Sequence, residues 1–219
     1  MILKDDTVLL RDFKREDIAK RIEWETEKTE WQLWDAPWEY EGLTEEQKKE
    51  NLQKYIKALE EWAAICESLS DEMPRKSFQI CTPEGEYVGW CGSYFINEDC
   101  CIDENGDRLA IGIDLPEESA RGKGLATHAL RLFMAYLHSL GFTEVYTQTW
   151  SGNERMGGKA GFYRVLPKAG AAAGAGAAIR WADLPERTVI IRIVYNDLYY
   201  TRNGMLFYME TGRLRKMKQ

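Results

Sequence analysis

The stretch ESARGKGLATHAL, residues 118–130, sets two glycines, Gly122 and Gly124, two positions apart, each beside a cation, Arg121 and Lys123. Ahead of it, RLAIGIDL (108–115) reads as a strand stopped by Pro116, and behind it residues 125–140 carry apolar side chains at helical spacing. Each glycine inside a helix would cost about 1 kcal/mol relative to alanine, so the pair belongs to the turn between strand and helix. A helix N-terminus bears roughly half a positive charge and several unpaired N–H groups. It receives anions, phosphates above all. Gly122 and Gly124 would let the backbone approach a phosphate, Arg121 and Lys123 would add charge, and Leu125 and Ala126 open the helix. The stretch reads as a pyrophosphate cradle.

Working outward, SFQICTPEGEYVGWCGSYFI (77–96) alternates around a turn at 83–85 and reads as a β-hairpin. The helix has Ala129, Leu132, Phe133, Tyr136, Leu137 and Leu140 on its buried face and Gly141 as its stop. EVYTQTW (144–150) is the next strand. A strand–helix–strand unit implies a parallel pair with a right-handed crossover, and the hairpin implies antiparallel neighbours. The expected fold class is α/β (α+β), with a mixed, mostly antiparallel central sheet flanked by helices.

Toward the N-terminus, TVLLRDF (7–13) reads as the first strand and KREDIAKRIEWETEK (14–28) as a helix with Ile18 and Ile22 on one side. Residues 31–43 form a loop broken by Pro37 and holding Trp31, Trp34 and Trp38, which either pack over the core or line a site. Thr44 and Gln47 have capping-box spacing. Leu52, Tyr55, Ile56, Leu59, Trp62, Ala63 and Cys66 then follow as a core-facing stripe. Toward the C-terminus, KAGAAAGAGAAIRW (168–181) is a Gly/Ala tract with little to bury. We expect one domain over 1–219 with an atypical insertion at 163–186. The tail from Asn203 onward adds a strand.

Composition narrows the function. The 219 residues carry a formal charge of −7, which is not the basic footprint of a nucleic-acid binder. An acidic balance favours cationic partners such as amines. Five Cys, odd in number and without a C-x-x-C pair, and two His give no metal-ligand spacing. They suit reduced thiols in a reducing compartment, and Cys100 and Cys101 read as incidental loop residues. The N-terminal stretch does not read as a signal peptide, and no run approaches the roughly 18 apolar residues of a membrane span. A cytoplasmic protein with no membrane or nucleic-acid partner is expected.

A Walker loop, G-x-x-x-x-G-K-[ST], is missing, and the turn lacks the third glycine of a dinucleotide fingerprint. What stands at 121–126 is R-x-x-G-x-A. Preceded by AIGIDLP, followed by an amphipathic helix and then by VYTQTWSGNERM, this pattern resembles the acyl-coenzyme A loop of the GNAT superfamily of N-acetyltransferases. The resemblance runs over 7–162 and returns at RTVIIRIVYNDLYYTR (187–202), like the family's closing strands. The branch it most resembles acetylates protein N-termini, including those of ribosomal proteins, and small amines.

The resemblance implies acetyl-CoA as co-substrate, with no metal, held between two splayed parallel strands, here 108–115 and 144–150. It implies direct attack by a primary amine: a protein N-terminus, a lysine or a small cationic amine. Coenzyme contacts would come from Ile113, Arg121, Gly122, Lys123, Gly124, Leu125, Ala126 and Asn153. A backbone amide near Ile113 or Asp114 would hold the oxyanion, and Asp114 would take the amine's proton or hold its ammonium. Otherwise Asp114 caps the following turn. Glu117 and Glu118 are expected to be solvated acids beside the helix. The sequence departs from the family four residues before Gly161-Phe162, where many relatives place a proton-donating Tyr and this chain has Gly157. Gly157-Gly158 also weaken the following helix by roughly 2 kcal/mol. The departure keeps open a non-catalytic acyl-CoA-binding protein of the same fold, and the turn alone keeps open a nucleotide binder. Relatives often form homodimers.

Overall fold

The chain opens with a strand that periodicity alone does not reveal. β1 (Ile2–Lys4) pairs antiparallel with β2 (Leu9–Arg11), so the strand expected over 7–13 is shorter at both ends. Three residues are too few to show alternation, and the Asp5 carboxylate makes the break by accepting from Thr7 N–H (2.7 Å) and Val8 N–H (2.9 Å). The computed structural model describes residues 1–150 except Ala36, Asp99, Cys100 and Thr143, together with Asn153 and the backbone of strands within 188–216. The insertion expected at 163–186, Gly157 and the Gly161-Phe162 pair lie outside the described residues.

α1 (Asp17–Thr26) is anchored where Arg11 donates to both carboxylate oxygens of buried Asp17, each at 2.7 Å. Short 3-10 turns at Thr29–Leu33 and Pro37–Glu39 build the tryptophan loop. Its tryptophans divide: Trp31 is buried and donates to the Trp24 carbonyl (2.9 Å), while Trp38 is exposed. The capping box forms as spelled, with Gln47 N–H on Thr44 Oγ1 (3.2 Å) and Thr44 N–H on Gln47 Oε1 (2.8 Å), and starts α2 (Glu45–Ser68). The expected stripe is only partly core. Leu59 and Ala63 are buried with Phe13, while Trp62 is 42% exposed and meets Phe13 edge-on.

β3 (Ser77–Cys81) and β4 (Tyr87–Ile96) form the hairpin, with a bulge between Ile80 and Cys81. β5 (Arg108–Asp114), α3 (Leu125–Ser139) and β6 (Glu144–Trp150) follow the sequence reading within a residue. On α3, Ala129, Leu130, Phe133, Tyr136 and Leu137 are buried, whereas Leu140, expected inside, is 41% exposed where the chain leaves the helix between Ser139 and the left-handed Gly141 (φ 97°). β7 (Thr188–Val194) pairs antiparallel with β6 from Glu144↔Val194 to Trp150↔Thr188. The tail from Asn203 gives two strands rather than the one expected, β9 (Met205–Glu210) and β10 (Arg213–Lys216), and these make a separate antiparallel sheet with β8 (Tyr199–Arg202), which lies inside 187–202.

Among the described residues β1 to β7 follow one another across one mixed sheet. Its parallel pair, β5 with β6, is registered at Ala110↔Tyr146 and Ile111↔Thr147. Contacts divide the chain into two units, Met1–Gly92 with Ile113–Phe133, and Ser93–Gly112 with Met134–Gln219. The first unit has its core in Val8, Leu10, Phe78, Ile80, Val88 and Phe133, with the Phe78 and Phe133 rings 5.9 Å apart edge to face. In the second, Ile96 and Ala110 are buried against Tyr94 and Tyr146. No helix of the described residues is long and apolar enough to cross a membrane.

Candidate active site

The turn 118–124 takes the backbone shape that its glycines allow. Gly122 (φ 73°) and Gly124 (φ 83°) both lie in the left-handed region, where any side chain is strained. The space beside them is open: a Cβ at Gly122 would meet nothing within 4 Å, and one at Gly124 only the His128 ring at 3.9 Å. α3 begins at Leu125, so its first-turn N–H groups, including those of Leu125 and Ala126, face the turn without intrahelical partners. These features fit a phosphate.

The two cations differ. Lys123 is exposed. Arg121 is committed to protein groups. Its Nε donates to the Leu115 carbonyl (2.8 Å), one terminal nitrogen to the Pro116 carbonyl (2.9 Å), and the other to the Glu30 carboxylate. Sequence reasoning took Arg121 as phosphate charge; in the structure it braces the loop that leads into the turn.

Glu117 corrects an expectation. It is buried rather than solvated, 8% exposed, because two lysines close over it. Burial alone would raise its carboxyl, but Lys20 Nζ (2.9 Å), Lys28 Nζ (3.2 Å) and the Trp24 indole hold it at about 2. Glu118 is exposed, as expected. Nothing in the local sequence marks Glu117, since its partners lie some 90 residues earlier.

Asp114, at the end of β5, is partly buried with Ile113 beside it. Burial and the nearby Asp35 carboxylate push its carboxyl up to about 7, against the opposing pull of Arg21 and the Trp90 indole. β4 approaches this end of β5 closely: a Cβ at Gly89 would collide with the Asp114 carbonyl and lie 3.0 Å from Leu115 Cα.

Around Asp114 the fold gathers a group that sequence reasoning did not single out. The Arg21 guanidinium lies 3.3 Å from the Trp90 ring centroid and donates to Tyr55 Oη (3.4 Å) and Gln79 Oε1 (3.3 Å). Partial burial raises the Glu25 carboxyl, and loss of hydration beside the protein together with Glu39 raises that of Asp35, which is itself exposed. Asp35 has no ion-pair partner among the described residues. The Tyr40 phenol is raised by burial and by Glu25, Asp35 and Glu39. The tryptophan loop borders an open surface depression of about 260 Å³, with Glu30, Gln32, Leu33, Pro37 and Tyr40 in its walls. Asp35, Glu39 and Tyr40 lie together in the run WDAPWEYE (34–41), but no spacing rule joins them to Arg21, Tyr55, Gln79 or Trp90.

The described cysteines, Cys66, Cys81, Cys91 and Cys101, are free thiols, and no metal-ligating cluster occurs among the described residues. Asn153, half-buried, belongs to the second unit.

A family model described as "Acetyltransferase (GNAT) domain" matches residues 7–163. No curated protein matches the chain. Among solved structures, the chain is similar in fold to a GNAT-family acetyltransferase from Bacillus anthracis, at 15% identity and a TM-score of 0.50, covering 89% of this chain and 98% of that one. It is also similar to the ribosomal-protein-S5-alanine acetyltransferase of Vibrio fischeri, at 11% identity and a TM-score of 0.53, covering 90% and 98%. The match spans most of the chain and includes the turn 121–126, so the chain belongs to the GNAT acetyltransferase family.

Proposed function

We propose that this protein transfers the acetyl group of acetyl-CoA to a primary amine. The observation that carries the reading is the turn itself: two left-handed glycines, open space beside both, and a helix start behind them, within a GNAT domain. Acetyl-CoA, when bound, supplies an acetyl group already activated as a thioester. Gly122, Gly124, Leu125 and Ala126 would hold its pyrophosphate through backbone N–H groups, with exposed Lys123 adding charge and Ile113 along the coenzyme. Arg121 would act by shaping the loop.

Asp114 fits the base. An amine at neutral pH is protonated, and a carboxyl at about 7 can take that proton at working pH. Asp35, which has no ion-pair partner among the described residues, and the neighbouring Glu39 and Tyr40 suit a cationic acceptor: a small amine or a protein N-terminus or lysine. The test is release of free CoA thiol from acetyl-CoA mixed with a linear polyamine, an aminoglycoside and a peptide with a free N-terminus. Release accelerated by at least one amine, and not by the matching alcohols, is expected. Release that no amine accelerates would contradict the reading.

A further inference from the structure

Arg121 opens the R-x-x-G-x-A run, yet its donors point away from the turn. Two of its nitrogens hold the carbonyls of Leu115 and Pro116, directly after Asp114, and so fix the guanidinium in one orientation. The remaining terminal nitrogen meets Glu30 Oε2. The other oxygen of the same carboxylate, Oε1, accepts from the Trp34 indole N–H at 2.7 Å. Glu30 therefore bridges two segments 91 residues apart: the turn proposed to hold the coenzyme, and the tryptophan loop that borders the depression.

An isolated surface pair would matter little, typically 0–1 kcal/mol, because ordering two long side chains costs entropy. Here that cost is already met on one side. The Arg121 side chain is only 19% exposed and is held by two carbonyls before Glu30 arrives. A planar guanidinium can bind all three partners at once, which a lysine could not.

The geometry points to Glu30 as a positioning residue that ties the loop 29–41 to the coenzyme turn through Arg121, so that filling the turn and ordering the wall of the depression are coupled. The inference rests on the coenzyme assignment above. Coupling of this kind is reciprocal: whatever orders the turn also orders the loop.

Hydrogen exchange followed by mass spectrometry on the whole protein, with CoA as the probe, tests it without a known acceptor. In the wild type, CoA should slow exchange in peptides over 121–126 and also over 29–41, the latter about fivefold or more, the low end of ordinary coupling. In Glu30→Ala, CoA should still slow 121–126 while 29–41 exchanges at its CoA-free rate. Glu30→Gln keeps an oxygen for Arg121 and should restore part of the slowing. Arg121→Lys, which cannot hold all three partners at once, serves if Glu30→Ala does not fold, and it should also lose the slowing over 29–41. Slowing at 121–126 alone in the wild type, or slowing over 29–41 that survives in the variants, would overturn the coupling and leave the coenzyme reading intact. No slowing at either segment would overturn both.

Discussion

Asp114 ends a strand as an ordinary aspartate in sequence, and only its surroundings suit it to the role of base that we propose for it. Burial and Asp35 lift its carboxyl from the usual range near 4 to about 7, and Arg21 keeps it from rising further. Deprotonation activates a base, so kcat/KM should rise with pH through about 7. Asp114→Asn should remove that limb and lower kcat about a hundredfold, within the usual contribution of general bases, with CoA affinity unchanged. A limb that persists in Asp114→Asn would assign it to another group. The sign for stability is the reverse. A carboxyl raised by folding favours the folded state less as pH climbs from about 4 to 7, so Asp114→Asn should flatten that loss. The position of Asp114 was legible in the sequence, from the strand that Pro116 stops. Its tuning was not, because Arg21, Asp35 and Trp90 come from three other segments. Glu117 was misread as a solvated acid for the same reason: its lysines lie on and after α1.

The elements were legible where the local signal was strong. Thr44 and Gln47 spelled a cap, Gly141 a stop, and the residues around 83–85 a turn; each forms in the structure. β1 went unseen because three residues carry no period, and Trp62 and Leu140 show that an apolar residue at helical spacing can still face water. Gly89 has a role visible only once β4 and β5 are together. Its missing side chain lets β4 pass against the backbone of Asp114 and Leu115. Backbone cannot swing aside as a side chain can, so Gly89→Ala should cost on the order of 1–3 kcal/mol, the usual range for overpacking, and should depress turnover as Asp114 shifts. Denaturant unfolding and steady-state rates check this. A variant of wild-type stability and rate would mean that the end of β5 is not set by this contact.

For the whole molecule, the order hairpin, strand, turn, helix, strand was enough to foresee a mixed sheet with a parallel pair, and the sheet has that form. The turn 121–126 was legible because its signals are local: glycine, cation and helix start within six residues. The group around Asp114 was not, since it assembles from α1, the tryptophan loop, α2, β3 and β4. The central claim is that the turn 121–126 binds acetyl-CoA, and thermal unfolding with the coenzyme tests it most directly. At about a hundredfold excess over the dissociation constant, binding should stabilise the wild type by about 2.7 kcal/mol, several degrees for a chain of this size. ATP and NAD should give no such shift. Gly124→Glu, which places a carboxylate in the phosphate's space at a left-handed position, should abolish the shift with acetyl-CoA. A wild type that does not respond to acetyl-CoA, or a Gly124→Glu variant that responds as fully as the wild type, would contradict the account.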